Sequence, residues 1–237
     1  ELGRHIGGYL PFTFELTDHL SSDPFTLELC VTDPTDTGFL SRGKQRLKHA
    51  GIWYTPQSGI WQTVWLEAVP QNYLHSLRIT PQPEKNTVHF RLDADDPAHA
   101  NITVHKDGII IAAGESGTNG EALLSIPAEQ LRLWSPEDPF LYDVTITLAG
   151  GDTVESYFGM RSFGIGTDEK GLPRLLLNGK PYFQNGLLDQ GYWSDGYYTA
   201  PSDDALIYDI SEMKRLGFNM LRKHIKVEPL RWYYHCD

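Results

Sequence analysis

Apolar positions along this chain keep a period of two through its first two thirds and then shift to 3.6. Near the start, Phe25, Leu27, Leu29 and Val31 alternate with Thr26, Glu28, Cys30 and Thr32. That is the pattern of a half-buried strand. Trp61, Val64, Trp65 and Leu66 make the run to Glu67 apolar on both parities, as expected of a strand inside a sandwich. Between them, residues 38–59 are rich in Gly, Pro, Ser and basic side chains and predict long loops. Loops of that length within a compact domain are often functional. Residues 1–72 are therefore expected to form a β-rich first domain.

Residues 73–166 carry denser strand signals. Leu77–Thr80, Val88–Leu92, Ile102–His105, Ile109–Ile111, Leu123–Ile126, Leu141–Leu148 and Thr153–Phe158 each read as strands. Lys106-Asp107-Gly108 and Ala149-Gly150-Gly151-Asp152 supply turn chemistry between neighbours. Short strands at this spacing suit an immunoglobulin-like β-sandwich.

The helical period arrives within residues 167–237. Asn178-Gly179 predicts a tight hairpin that leads into a strand. Pro201-Ser202-Asp203-Asp204 opens a helix, with Ser202 as N-cap and two carboxylates at the positive end of the dipole. Leu206, Ile210, Met213 and Gly217 share a face, with Lys214 and Arg215 in the last turn. Asn219–His224 predicts a second strand, and Pro229 suits the start of a second helix. This strand–helix–strand–helix order predicts the first β/α units of a TIM barrel. Two such units can neither close a barrel nor bury a parallel sheet on both faces. Most of the barrel is therefore expected to lie beyond Asp237.

Composition removes several function classes. The net charge of −11 argues against nucleic acid and anionic membrane surfaces as partners. No apolar run nears the ~20 residues of a membrane span. Cys30 and Cys236 lie at opposite ends of the chain, so no disulfide framework is expected. The nine His show no metal-ligand spacing, and Gly164-Ile165-Gly166 opens no helix, so it predicts no dinucleotide loop. No cofactor is expected, and no compartment is assigned.

Three motifs in order carry a family resemblance. The first pairs Gly7-Gly8-Tyr9-Leu10-Pro11-Phe12-Thr13-Phe14 with Ser58–Glu67. The second pairs Leu133-Trp134-Ser135-Pro136-Glu137-Asp138-Pro139-Phe140-Leu141-Tyr142 with Phe158–Phe163. The third joins Leu177-Asn178-Gly179-Lys180-Pro181 to Gly217-Phe218-Asn219-Met220-Leu221-Arg222. Together they resemble family 2 glycoside hydrolases, the group of β-galactosidases, β-glucuronidases and β-mannosidases. The resemblance implies a mainly β chain: part of a sugar-binding jelly roll, an immunoglobulin-like sandwich, and entry to a catalytic (β/α)8 barrel. It implies a retaining exo-β-glycosidase acting on β-galactoside- or β-glucuronide-type substrates. Such enzymes use two carboxylates roughly 5 Å apart. Both would be Glu residues on later barrel strands, so no catalytic residue is assigned here and the chain alone is expected to be inactive.

Site residues are then sought at the C-terminal ends of the two barrel strands. Arg222 matches a family arginine near the nucleophile, where a guanidinium stabilises the ionised carboxylate. Asp189 and His224 are candidate substrate-binding residues, and Trp193 is a candidate platform for a sugar ring, along with Tyr192 and Tyr197-Tyr198. Lys223 and Lys226 are either cationic partners for a uronate or solvated surface. Asp203-Asp204 is explained by capping. The loops depart from the family: Leu187-Leu188-Asp189-Gln190 stands where Asn-Arg-His-Glu-like residues are common, and His224-Ile225-Lys226-Val227 where Ser-His-Tyr-Pro is common. The sugar is therefore not carried over. The expected partner is a carbohydrate, and an exposed barrel stub leaves a homo-oligomer open. A reading from another class, a non-catalytic carbohydrate- or protein-binding sandwich, leaves residues 202–237 without a use.

Overall fold

A computed structural model describes residues 1–21 and 24–237. It is mainly β and divides into two compact units, one of residues 1–64 with 184–236, the other of 65–183 with 237.

The second unit holds a seven-stranded sandwich. Its strands are β1 (Ser76–Gln82), β2 (Thr87–Asp93), β3 (Asn101–Lys106), β4 (Ile109–Glu115), β5 (Glu121–Ser125), β6 (Leu141–Thr147) and β7 (Thr153–Gly159). They form a β1-β2-β5 sheet and a β4-β3-β6-β7 sheet, antiparallel throughout. Each strand predicted in this region is present, within two residues of its expected bounds except β4, which runs four residues past the expected end at Ile111. Alternation explains the core. On β2, Val88, Phe90 and Leu92 point inward while His89, Arg91 and Asp93 point out; on β6, Tyr142, Val144 and Ile146 do the same against Asp143 and Thr145. Ile102, Val104, Leu124 and Phe158 fill the space between. The β3–β4 hairpin turns through Asp107 and Gly108, both at positive φ, as a two-residue loop of this register requires.

A cross-connection seals the lower end of this core. The buried Tyr142 hydroxyl donates to Gln130 O at 2.8 Å and accepts from Arg132 N at 2.7 Å, so it ties the β5–β6 link to the start of β6. Burial raises its pKa. Trp134 packs beside Gly159, where a Cβ would stand 3.0 Å from the indole, so glycine is what admits it. The Arg161 guanidinium lies 4.3 Å above the Trp134 ring. A small sheet follows in the same unit: β8 (Phe163–Thr167), β9 (Pro173–Leu177) and β10 (Lys180–Pro181) in the order β10-β9-β8. Its β9–β10 turn is the predicted Asn178-Gly179, again with both residues at positive φ.

The first unit contains β11 (Gly186–Asp189), α1 (Asp203–Arg215), β12 (Met220–Lys223) and α2 (Leu230–Cys236). Its N-terminal segment corrects the sequence reading. Residues 25–32 and 61–67 are not strands: no ladder forms in them, and among the described residues the earliest strand begins at Ser76. Among the described residues before Tyr73, the sole β pairing is an isolated bridge from Gln45 to Tyr54. Alternation alone does not make a strand, because its N–H and C=O groups need a neighbour. Without one, the apolar side chains stay outside: Leu27 is 57% and Trp65 69% exposed.

Candidate functional site

Two parallel strands place the site. β11 pairs with β12 in the register Gly186↔Met220 to Asp189↔Lys223, so the strands end together. Gly186 permits the approach, since a Cβ there would meet Met220 at 2.6 Å. The α1 crossover is specified as expected. Ser202 Oγ accepts from Ala205 N at 3.2 Å, Leu206 is buried, and Gly217 follows the helix at φ +92°. Asp203 pairs with Arg231 at 2.8 Å, so it acts at the helix start and not at the strand ends.

The strand ends carry four charges in a continuous chain, Asp189–Lys223–Glu228–Lys226. Lys223 Nζ is 2.8 Å from Asp189 Oδ2 and 2.5 Å from Glu228 Oε1. The other Glu228 oxygen is 3.3 Å from Lys226 Nζ. Lys226 also donates to Gly191 O and Tyr198 O at 2.5 and 2.9 Å. Its side chain is 1% exposed and that of Glu228 is 4%. Burial lowers the Lys226 pKa, and Glu228 opposes the shift. A lysine so enclosed is neither solvated surface nor free to meet a uronate, which corrects both sequence readings of Lys226. Lys223 lies within the same network.

A loop from the N-terminal segment closes over these strand ends. Gln45, 7% exposed, donates to Arg42 O at 2.9 Å and accepts from Gln57 N at 2.7 Å, so it fixes both ends of the loop. Gly43 and Lys44 both take positive φ; at Gly43 a Cβ would overlap the Tyr198 hydroxyl. Tyr54 stacks on Tyr192 with centroids 3.9 Å apart, and its hydroxyl donates to Gln190 Oε1 at 2.8 Å. Tyr192 donates to Thr55 O. Tyr198 shares a 2.8 Å hydrogen bond with Tyr9 and donates to Arg42 O at 3.2 Å. Burial raises the pKa of Tyr198 and carries that of Tyr192 to about 12.

The candidates predicted from sequence fall in three environments. Asp189 stands at the strand end with both oxygens engaged, Oδ1 by Gly191 N at 2.9 Å and Oδ2 by Lys223. His224 follows β12, and its backbone N–H donates to Asp189 O at 2.8 Å. Slight desolvation, then the positive charges of Lys44 and Arg222, lower the His224 pKa. Arg222 is exposed on β12, and its side chain makes no hydrogen bond or ion pair among the described residues. Trp193 is half-buried in a tight turn closed by its backbone bonds to Tyr197. Tyr192 has one ring face stacked on Tyr54, and Tyr198 is buried among Tyr9, Trp61 and Tyr192, so Tyr198 leaves no ring face for a sugar. Sequence reasoning missed Glu228, Tyr54, Gln190 and Lys44. The first shows only as a carboxylate two residues after Lys226; the others are joined by contacts between positions more than 130 apart in sequence.

With both oxygens of Asp189 and of Glu228 held, the cluster offers no unpaired carboxylate for acid–base work. It can bind and position. Among the described residues no group of three or more ligating side chains could hold a metal ion, and no helix is long and apolar enough to cross a membrane.

Comparison with known proteins follows the sandwich. The family profile described as Glycosyl hydrolases family 2 matches residues 72–161. A β-galactosidase of Streptococcus thermophilus is 25% identical across 100% of this chain, which covers 23% of that protein. A β-glucuronidase of Rattus norvegicus is 24% identical across 92% of the chain and 37% of its own length. A solved β-glucuronidase from Ruminococcus gnavus aligns with a TM-score of 0.66 at 18% identity, over 76% of this chain and 30% of that one, a likeness of fold. The chain thus spans 23% to 37% of the length of these relatives.

Proposed function

We propose that this chain, which belongs to glycosyl hydrolase family 2, is the part of a β-glycosidase that carries its central sandwich and one wall of its substrate site. The observation that carries this reading is the β11–β12 pair, parallel, in register, crossed over by α1 and ending together at Asp189 and Lys223. Substrates bind at the carboxyl ends of strands in parallel α/β structures, where loops of the scaffold converge. Here the loop of residues 42–57 converges with Gln190 and His224.

In this reading residues 73–166 form an immunoglobulin-like domain. The β1-β2-β5 and β4-β3-β6-β7 sheets support it, and so does Tyr142, whose hydroxyl ties the corner before its strand in the manner of a tyrosine corner. Residues 167–237 lead into a (β/α)8 barrel, and residues 1–72 belong to a jelly roll whose ladder partners are not among the described residues. The substrates are β-galactoside- or β-glucuronide-type. The retaining pair of carboxylates is assigned to later barrel strands of a longer protein.

The test compares this chain with the longer protein on aryl β-galactosides and β-glucuronides. The longer protein should hydrolyse at least one, and residues 1–237 alone should hydrolyse none. Turnover by the short chain, abolished by a point change within it, overturns the assignment of the carboxylates. No hydrolysis by the longer protein on any β-glycoside overturns the glycosidase reading.

A further inference from the structure

Residues 37–66 contain Arg42, Lys44, Arg46 and Lys48 and not one Asp or Glu, in a chain whose net charge is −11. The loop is thus a local reversal of sign, and its geometry aims one of its cations. Lys44 Nζ lies 3.4 Å from Gln190 Oε1, and Gln190 directly follows the last residue of β11. His224 directly follows β12 and is tied to Asp189 O. Lys44 has no carboxylate within ion-pair distance among the described residues, and no hydrogen bond of the His224 ring is found there either. Lys223 and Lys226, by contrast, are neutralised by Asp189 and Glu228.

Lys44 also holds a backbone that its residue type does not favour. Its φ is +60°, next to Gly43 at +59°, and the pair is locked by the Tyr198 hydroxyl and by Gln45, both bonded to Arg42 O. A side chain other than Gly, Asn or Asp in this region is uncommon and tends to mark a site of function. The turn sets the ammonium beside Gln190 at the strand ends.

We propose that Lys44, with Gln190 and His224, forms an anion-recognising subsite that selects saccharides bearing a carboxylate or a sulfate group. The subsite rests on the glycosidase reading for the sugar, while its anion binding is independent of catalysis. An ammonium donates charge-assisted hydrogen bonds to such an oxyanion. The positive charge of Lys44 already reaches His224, which is the same field that an anionic group on the sugar would neutralise.

Titration calorimetry on residues 1–237 at neutral pH and low salt tests it. The probes are methyl β-D-glucuronide, methyl β-D-glucoside, which differs at C6 alone, and methyl β-D-galactoside 6-sulfate. The glucuronide should bind about tenfold more tightly than the glucoside, the scale of one charged hydrogen bond. Lys44→Asn removes the ammonium and suits the positive φ, so it should erase that preference without lowering the melting temperature. Lys44→Gln should erase it too, and Lys44→Arg should keep it. Sulfate bound as well as carboxylate marks a general anion subsite; carboxylate alone marks a uronate subsite. No preference in the native chain, or a preference that survives both neutral variants, overturns the proposal. Hydrolysis by the longer protein is measured separately, so an inactive enzyme with an intact preference sinks the glycosidase reading and spares the subsite.

Discussion

Phe90 and Lys226 are equally hidden from water, one in the sandwich and one at the strand ends of the other unit, and they are hidden for opposite reasons. Phe90 sits among Val88, Ile102, Tyr142 and Phe158 in a core built from its own strand neighbours. Lys226 is enclosed by Glu228, by the carbonyls of Gly191 and Tyr198, and by the faces of Trp61 and Tyr198. Burial stabilises the first through the apolar area removed from water. It destabilises the second, and partners must offset the cost. One unit is stable because of what it excludes; the other is specified by what it satisfies. The sharpest break in the first is Phe90→Ala. A buried aromatic removed from a close-packed core should cost about 4 kcal/mol, read as a lowered urea midpoint. A cost below about 1 kcal/mol would show that the sandwich is not packed as described.

That contrast explains what was legible in the sequence. The sandwich strands could be read because the period-two pattern and the neighbours that complete it lie within the same ninety residues, with Asp107-Gly108 fixing the β3–β4 register locally. Residues 25–32 show the same alternation with no ladder, so pattern without a partner misled. The site was legible in part. Asp189 and His224 were placed at the strand ends from the sequence alone, and there the His224 backbone N–H donates to Asp189 O. Glu228 and Lys44 were not, because a buried ion pair and a loop turn owe their meaning to positions far along the chain. Lys226 looked like surface for the same reason: nothing local to it announces Glu228, Gly191 and Tyr198 as its shell.

Lys226→Ala is the next largest effect. It leaves Glu228 without one of its two cations and strips a donor from two buried carbonyls, so about 3 kcal/mol should be lost. Lys226→Met combined with Glu228→Leu sharpens the point. If the pair is specified by mutual satisfaction, the double apolar variant should lose less than Lys226→Ala alone. Equal losses would assign the effect to packing, as in the sandwich.

Alkali should separate the units more gently. Burial raises the Tyr192 pKa from 10 to about 12. Between those values the unfolded chain gives up its phenolic proton while the folded one keeps it. Stability from this group is therefore full below pH ~10 and falls as pH rises toward 12. One such group gives a slope of at most about 1.4 kcal/mol per pH unit, and screening at this half-exposed position reduces it. Tyr192→Phe should flatten the decline measured by urea unfolding between pH 9 and 11. Tyr198 and Tyr9 in the same unit and Tyr142 in the sandwich, each raised by burial, keep their shares of the decline in that variant. An unchanged slope would mean that the Tyr54–Tyr192 stack is open to solvent.

Leu27→Ala should show the smallest effect. Leu27 has the alternation of a strand residue, but it is 57% exposed and lies in no ladder. Truncating it removes contacts that the described residues do not make, so the change in stability should stay within about 0.5 kcal/mol. This is the direct counterpart of Phe90→Ala: the same residue pattern, with and without a neighbouring strand. A loss of about 2 kcal/mol or more would require an apolar partner for residues 25–32 in solution. The period-two pattern would then have been reporting a real sheet, and the contrast between the two regions would narrow to a difference in where their partner strands come from.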